Sequence, residues 1–398
     1  MKNFSDIITP LSVDEFFEKF HDKKPLHIKA KNRQKFSHIM SWEKLNELLN
    51  MRSIWSLHSL NLVKDKQPIH PQQYCDSKIN RDKQESLIPS PQKVISFLKS
   101  GASLICNDID QLSPELSQTA HALQSSLNGK CQANLYCSWE GYQAFDSHFD
   151  THDVYALHIE GTKTWRIYEG RVDNPIPHPL FTQLPQTYHE QHKGKVALEI
   201  HMEPGDLLYI PRGTYHDAVA TSQTKAFGHG SVHIAFGVNH TLGLDMLDLM
   251  REYLLQNKFF RSPIMDFSAE SIEQYFDQFL DEIKAVSQST AFKNTVQNLQ
   301  NSSLLDETYT LPINVSEKEL ELTSTAFSLL GHEDKPILKG PGGTVPVPAE
   351  YYSMLQWILK NKKFTQKTYE SHFSKLPQKQ CIKLLDDLQK MHVLKRVS

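Results

Sequence analysis

The sequence lacks the features that mark several classes of protein. Its five cysteines are an odd number and form no C-x-x-C pair, which argues against a disulfide framework and against a thiolate zinc site. No apolar run approaches the roughly 18 residues of a membrane span, and the opening stretch MKNFSDIITPLSVDEFFEKF has no uninterrupted apolar core of a signal peptide. We therefore expect a cytoplasmic protein with no membrane partner.

An excess of charge of one sign is also missing. The 398 residues carry 43 Lys and Arg against 46 Asp and Glu, a formal charge of -3, so no global basicity indicates nucleic acid. The exception is local: residues 350–398 hold ten basic and four acidic side chains, a surplus that suits a solvated helical face as well as a nucleic-acid contact. We expect no nucleic-acid partner.

The apolar pattern divides the chain into three parts. Helix signals open it, with Ser12 and Glu15 forming a capping box and Ser41 positioned to cap WEKLNELL. Between residues 130 and 240, the short β-rich runs QANLYCSW, VYALHIEG, KTWRIYEG, DLLYIP and SVHIAFGV alternate with turn sequences, as in an antiparallel sandwich or small barrel. This part, residues 1–243, is the predicted catalytic domain.

The remaining residues are predicted to be mainly helical. Apolar residues recur at helical spacing through residues 244–305, which indicates two or three amphipathic helices and a candidate dimer interface. Residues 306–398 carry a predicted hairpin around Gly340–Gly343, then three helix-like segments and a final VLKRV. That order resembles a winged helix.

Histidine is the residue type present in excess. Of 20 histidines, 11 lie between His148 and His240, where even spacing would put about five. A non-haem iron site needs two imidazoles and one carboxylate on one side of the metal, and a His-x-Asp pair in a strand presents two ligands on one face. Four His-x-acid pairs occur where chance gives roughly two, so context must choose among them.

The pair His148 and Asp150 has the required context. It directly precedes two predicted strands, and 66 residues after Asp150 the segment EPGDLLYIPRGTYHDA leads through two turns and a short apolar strand to His216. In this order a double-stranded β-helix brings a distal histidine back to a proximal pair. We predict that His148, Asp150 and His216 are the metal ligands and form the catalytic centre.

Three other histidines near an acidic residue receive different assignments. His158 lies between two apolar residues of a strand, so we expect a buried side chain whose hydrogen bonds are satisfied locally. His332 lies in a polar loop with no partner pattern. His152 directly precedes Asp153 and lacks the spacing of the ligand pair, but it could hydrogen-bond near the site.

At these motifs the chain resembles the JmjC family of iron(II)- and 2-oxoglutarate-dependent oxygenases, in particular its ribosomal oxygenase branch. FFEKFHDKKPLHIKA, NLVKDKQPIHPQQY, SHFDTHDVYALHIEGTKTWRIYEG and EPGDLLYIPRGTYHDA are similar to successive elements of that branch. The resemblance implies a mostly β core with α-helices, a double-stranded β-helix (jelly-roll) of the cupin and JmjC type. A helical dimerisation segment and a C-terminal winged-helix-like domain would follow.

The resemblance also implies cosubstrate-binding residues. The family places a lysine 13 residues after the ligand aspartate, here Lys163, to pair with the distal carboxylate of 2-oxoglutarate. Trp165 alternates with Lys163 along one strand, so both can face the interior. The other matching positions are Asn134, Tyr136, Ser231 and His233.

The resemblance implies a protein hydroxylase that uses Fe(II), 2-oxoglutarate and O2, acts on an arginine or histidine of a ribosomal protein, and forms a homodimer. Where the family has a Pro-Pro-Asn-Ser run at the substrate entrance, this chain has Trp139, Glu140 and Tyr142, so its target can differ. The alternatives are hydroxylation of another protein or of a peptide precursor, N-methyl-lysine demethylation, and a DNA-binding regulator whose cupin-like domain senses a ligand.

Overall fold

The computed structural model describes residues 1, 3–79, 83, 85–139, 144–220, 230–302, 319–324, 326–341 and 343–397. It divides the chain into two compact units, residues 1–306 and 307–398. All five cysteines are buried and free. Among the described residues, no helix combines the length and the apolar character that crossing a bilayer requires.

Both units contain helices as well as strands. The helices are α1 (Phe4–Ile8), α2 (Val13–Lys19), α3 (Trp42–Asn50), α4 (Pro71–Tyr74), α5 (Pro91–Lys99), α6 (Pro114–Leu127), α7 (Pro179–Thr182), α8 (Gln186–His192), α9 (Gly243–Leu254), α10 (Lys258–Arg261), α11 (Ala269–Gln288), α12 (Thr290–Ser302), α13 (Tyr352–Asn361), α14 (Gln366–His372) and α15 (Gln378–Lys390). The strands are β1 (Leu26–Ile28), β2 (Leu60–Lys64), β3 (Gln67–Pro68), β4 (Cys75–Ile79), β5 (Glu85–Pro89), β6 (Ser103–Cys106), β7 (Gly129–Ser138), β8 (Asp153–Glu160), β9 (Lys163–Arg171), β10 (Val196–Met202), β11 (Leu207–Ile210), β12 (Thr214–Ala220), β13 (Ser231–His240), β14 (Glu319–Leu322), β15 (Ser328–Leu330), β16 (Ile337–Gly340), β17 (Gly343–Pro346), β18 (Lys363–Thr365) and β19 (Leu394–Val397).

The N-terminal helices begin where the sequence predicts. The Ser12 hydroxyl accepts a hydrogen bond from the Glu15 amide at 3.1 Å and starts α2. Ser41 accepts one from the Lys44 amide at 3.3 Å and starts α3. Each cap satisfies an amide that the first helical turn leaves without a partner.

Two antiparallel sheets form the core of the first unit, which confirms the mostly β prediction for residues 130–240. The larger sheet has the order β1-β11-β8-β13-β7-β6-β2-β3, and the smaller has the order β10-β9-β12. Helices cover the outer face of the larger sheet, while the smaller sheet packs on its inner face. The arrangement is a jelly roll with a side chain-lined interior.

Strand β8 shows how the sequence fixes this arrangement. Val154 and Ala156 pack with Trp165 between the two sheets, whereas Tyr155 and Leu157 point to the other face and pack with the N-terminal helices. Each large buried apolar side chain stabilises the fold by about 1.5–3 kcal/mol. A slip of one residue would exchange the two faces, so the register is strongly specified.

The helical segment after the jelly roll contains four helices, α9 to α12, one more than the upper end of the prediction. The periodicity did not reveal short α10, which starts where the Asn257 side chain accepts a hydrogen bond from the Phe259 amide at 2.9 Å. Ser289 ends α11 and caps α12 through a hydrogen bond from the Phe292 amide at 3.2 Å.

The second unit has a core of its own. Strand β14 pairs with β18 and β19, and apolar side chains of α13, α14 and α15 pack with it. The hairpin predicted around residue 340 is confirmed, since β16 and β17 are antiparallel with Gly340 opposite Gly343.

Candidate metal centre

The structure brings the three predicted ligands together. His148 Nε2 lies 4.0 Å from Asp150 Oδ1, and His216 Nε2 lies 3.4 Å from Asp150 Oδ2. Two atoms that each lie about 2.1 Å from one ion are separated by about 3 Å to 4.2 Å, depending on the angle at the metal. Both separations fall in that interval, so the three side chains fit a single divalent ion.

Backbone hydrogen bonds hold the two histidines opposite each other. The His148 amide donates to the His216 carbonyl at 3.1 Å, and the His216 amide donates to the His148 carbonyl at 2.8 Å. Each imidazole has its Nδ1 against a carbonyl oxygen, that of Asp146 at 2.8 Å and that of Thr214 at 3.0 Å. A proton on Nδ1 is thereby favoured, which leaves the Nε2 lone pair free for a metal.

A turn at Gly213 positions His216 beside the other two candidate ligands. Gly213 has a φ of +81°, and a Cβ there would lie 2.0 Å from the Val172 carbonyl oxygen, so a side chain is excluded. The Gly213 amide donates to the Asp150 carbonyl at 2.8 Å. The turn between β11 and β12 is therefore tied directly to the ligand pair.

The electrostatics keep the ligands in the protonation states that a metal requires. Burial opposes ionisation of Asp150, but the neighbouring His216 and His148 hold the pKa of its carboxyl below the ordinary value. Burial, with a smaller effect of His148, lowers the pKa of His216 to about 4. At neutral pH, Asp150 is a carboxylate and His216 is uncharged, as ligation demands.

A cavity of about 300 Å³ opens from the ligands into the jelly roll, and Lys163 lies in its wall. Only 5% of Lys163 is exposed, and burial lowers the pKa of its amine to about 8. Its Nζ lies 3.5 Å from His233 Nδ1 and 6.0 Å from the centre of the Trp165 ring. No carboxylate of the described residues forms an ion pair with it, so the cavity contains a cation without an anionic partner.

Other predicted cosubstrate residues differ in where they lie. Asn134, Tyr136 and His233 line the cavity. The Tyr136 ring stacks on the His233 ring with centroids 4.9 Å apart, and Asn134 Oδ1 accepts a hydrogen bond from the Asp108 amide at 3.0 Å. Ser231 is buried, and its hydroxyl has no hydrogen-bond partner among the residues that the structure describes. It is not one of the described residues of the cavity wall.

The segment after β7 is divided between two cavities: Ala144 and Phe145 line the cavity at the predicted ligands, whereas Trp139 is not among the described residues of that wall. Trp139 lines a different cavity of about 240 Å³, with Trp42 and Trp55. Trp139 packs against the hydrophobic core on the outer face of the larger sheet, as Trp42 does. Glu140 and Tyr142, which were assigned with Trp139 to the substrate entrance, lie outside the described residues.

Two further cavity residues, His152 and Gln132, are not among the site residues predicted from the sequence. His152 lines the cavity and packs on Gly237 so closely that a Cβ there would lie 3.0 Å from its ring. Its buried Nδ1 has no hydrogen-bond partner within the described part of the chain. Gln132 also lines the cavity. A signal for Gln132 was available, because it lies two residues before Asn134 on β7 and so shares its face.

A second, wider cavity of about 820 Å³ adjoins the first. The two share Gln132 and His152 in their walls, and Arg212, His240 and Asp245 also line the wider one. The two cavities therefore meet at Gln132 and His152.

Residues 109–239, which include all three candidate ligands, match the JmjC domain family. The similarity of this chain to known proteins extends beyond these residues. The chain is 27% identical over 259 residues to the bifunctional lysine-specific demethylase and histidyl-hydroxylase NO66 of Aedes aegypti, covering 64% of this chain and 37% of that protein. It is 26% identical over 215 residues to ribosomal oxygenase 2 of Bos taurus, covering 54% of this chain and 44% of that protein. The chain therefore spans less than half of the length of these relatives.

The fold around residues 109–239 is that of known structures. The structural alignment with the ribosomal oxygenase YcfD of Escherichia coli covers 97% of this chain and 98% of the YcfD chain. Its TM-score is 0.53, and the sequence identity is 15%. A structure of YcfD in complex with cobalt and 2-oxoglutarate matches 98% of this chain and 99% of its own, with a TM-score of 0.51 at 14% identity. The jelly-roll prediction is thereby confirmed at the level of fold.

Proposed function

We propose that this chain is an Fe(II)- and 2-oxoglutarate-dependent protein hydroxylase. One observation carries the proposal: the two-histidine, one-carboxylate set and the buried, unpaired Lys163 face the same cavity. The first provides the ligands of a site with open positions, and the second provides a cation for a dicarboxylate. The similarity to the ribosomal oxygenases supports the same activity.

The residues present fit both groups. His148, Asp150 and His216 would hold Fe(II), which supplies the activation of O2 when bound. Lys163 would pair with the distal carboxylate of 2-oxoglutarate, because a buried ammonium is costly without an anion. The overall reaction converts a substrate C–H, O2 and 2-oxoglutarate into C–OH, succinate and CO2. The apolar wall that Trp165 contributes excludes water from the reacting carbon.

The substrate in this proposal is a side chain of a protein or peptide. The peptide backbone would lie in the wider cavity and the target side chain would pass between Gln132 and His152. The names of the relatives indicate ribosomal proteins and histidine as targets, so an arginine or histidine of a ribosomal protein is the first candidate.

The test is a comparison of wild-type protein with the His148→Ala and Asp150→Ala variants. Wild-type protein with Fe(II) should form succinate from 2-oxoglutarate and leave a single added oxygen on one protein of the cell, found by mass spectrometry. Both variants should lose this, while His332→Ala, a substitution in a loop of the second unit, should retain it. Wild-type protein that binds iron but never consumes 2-oxoglutarate would refute the proposal.

A second activity on the same site is N-methyl-lysine demethylation, which the name of the NO66 relative favours. Hydroxylation of the methyl group gives an N-hydroxymethyl group. This group breaks down to formaldehyde and a lysine side chain with one methyl group fewer. Release of formaldehyde, in place of a stable added oxygen, would select demethylation over hydroxylation of the side chain.

We propose that two copies of this chain form a homodimer through residues 244–305. Leu244 and Leu247 on α9 and Phe276 and Leu280 on α11 are each more than half exposed, an apolar surface that a second copy would cover. Light scattering should give twice the chain mass, and a monomer at micromolar concentration would contradict the proposal.

The last 93 residues, 306–398, are proposed to form a winged-helix-like domain. The order α13, β18, α14, α15 and β19, with β14 between β18 and β19, supports it. Absence of salt-sensitive DNA binding in a filter assay would favour the hydroxylase over a DNA-binding regulator.

A further inference from the structure

A second group of two imidazoles and one carboxylate lies outside the site described above. His21, Asp153 and His240 each offer one ligand atom, and these atoms lie within 4.8 Å of one another. His240 Nε2 is 3.1 Å from Asp153 Oδ2, a separation that two ligands of one ion adopt when each lies about 2.1 Å from it. The imidazoles of His21 and His240 face each other with ring centroids 5.6 Å apart.

Three separate elements position this group. Asp153 begins β8 and His240 ends β13, and the pairing of these strands sets Asp153 opposite Val238. His21 follows α2, where its amide donates to the Phe16 carbonyl at 3.0 Å. The group is therefore fixed by the fold and not by a flexible loop.

The carboxylate is oriented as a ligand would be. Asp153 is 1% exposed, and its Oδ1 accepts a hydrogen bond from the Arg212 amide at 2.9 Å. The Tyr209 hydroxyl lies 3.3 Å from Oδ2. Such outer partners are what fix the direction of a metal-binding carboxylate.

A hydrogen-bond network accounts for Asp153 and His240 but leaves His21 unexplained. Among the described residues, neither ring nitrogen of His21 has a hydrogen-bond partner, although the ring is half-buried between the Phe16 and Phe17 rings and that of His240. A half-buried imidazole that points at a carboxylate and a second imidazole without bonding to either has the arrangement of a ligand.

We propose that His21, Asp153 and His240 form a second metal site, which takes a divalent transition-metal ion of the Zn²⁺ and Co²⁺ class. Imidazole nitrogen and carboxylate oxygen are the donors that these ions prefer, and three protein ligands leave a position for water. The site is accessible, because His240 lines the wall of the wider cavity. The inference does not depend on the proposed hydroxylase activity.

The test is the stoichiometry of Co²⁺ binding, read from its visible absorption, on full-length protein stripped of metal by a chelator. Wild-type protein should bind two equivalents. His21→Ala and His240→Ala should each keep one equivalent and bind the other more than about 100-fold more weakly, since even loss of an outer partner costs up to about that factor. The His148→Ala and Asp150→Ala double variant should keep the second site.

His332→Ala is the matched control and should retain two equivalents, because its imidazole lies in a loop of the second unit. Unfolding midpoints would identify any variant that fails to fold. For that case, anomalous diffraction from wild-type crystals soaked in Zn²⁺ gives an independent readout, with a peak expected between His21, Asp153 and His240. No bound Co²⁺ in the folded His148→Ala and Asp150→Ala double variant, or no peak at this position in wild-type crystals, would overturn the proposal.

Discussion

Replacement of Lys163 by methionine should stabilise the protein and at the same time weaken cosubstrate binding. Burial lowers the pKa of Lys163 to about 8 from an ordinary value of 10.5. The unfolded chain therefore binds more protons than the folded protein between pH 8 and 10.5, and the free energy of unfolding rises with pH across that interval. Below pH 8 the folded protein bears the full cost of the buried charge, about 3 kcal/mol.

Methionine has a similar volume and no charge, so it removes this cost. At pH 7 the Lys163→Met variant should gain up to about 3 kcal/mol in free energy of unfolding, which corresponds to about 5 °C in the midpoint of a unit of this size. At pH 10.5 the difference should be small, because the wild-type amine is then uncharged in the folded protein. The variant should also lack the rise in stability between pH 8 and 10.5.

The same substitution should weaken 2-oxoglutarate binding. Loss of one partner of a buried charge pair costs about 2–5 kcal/mol, or roughly 30- to 5,000-fold in Kd. The order of the midpoints should therefore reverse at high 2-oxoglutarate concentration, since the ligand stabilises only the protein that binds it.

Thermal unfolding at pH 7 and 10.5, with and without 2-oxoglutarate, measures both effects, and titration calorimetry gives the affinities. Lys163→Arg, which keeps the charge, is the control. A Lys163→Met variant that binds 2-oxoglutarate within threefold of wild type would refute the role assigned to this lysine. A midpoint below that of wild type at pH 7 would refute the reasoning on burial.

Three further predictions concern the scaffold. Gly213→Ala should lower the unfolding midpoint and reduce metal affinity, because the turn has no space for a Cβ. Gly243→Ala should change neither, because no atom of the described residues would lie within 4 Å of its Cβ. Burial lowers the pKa of His158 to about 4 from its ordinary value of 6.5. Between these two pH values the unfolded chain binds more protons than the folded protein, so the free energy of unfolding falls by about 3 kcal/mol as the pH falls from 6.5 to 4. The His158→Gln variant should show a smaller fall in acid unfolding curves. Arg166→Ala removes two hydrogen bonds, at 2.8 and 3.0 Å, from the buried Asp217 carboxylate and should destabilise the protein by about 2 kcal/mol, measured by thermal unfolding; an unchanged midpoint would show that solvent replaces them.

The local parts of the fold could be predicted from the sequence. Strands β8 and β9 follow from the apolar runs and the turn at Gly161 between them, and the alternation of Lys163 and Trp165 correctly placed both in the interior. The order of turns before His216 was enough to select it, from 20 histidines, as the third candidate ligand. This was possible because the conformation of a turn depends on the few residues that form it.

Contacts between residues that lie far apart in the sequence could not be predicted. The group of His21, Asp153 and His240 has no local motif, since 87 residues separate Asp153 from the imidazole that bonds to it. The packing of Trp139 could not be predicted for a similar reason. Its neighbours Trp42 and Trp55 lie far earlier in the chain, and nothing in the loop itself indicates them.

The reciprocal hydrogen bonds between the amides and carbonyls of His148 and His216 have a consequence for how the metal centre opens. The backbone spacing of these two candidate ligands is set by the paired amides and carbonyls, so the two backbone segments cannot separate unless both amides lose their partners together. Opening of this pair is then a single cooperative event. Where opening limits exchange, the two amide hydrogens should exchange with deuterium at one common rate, and this opening rate is an upper limit for any release of metal that requires the two backbone segments to separate.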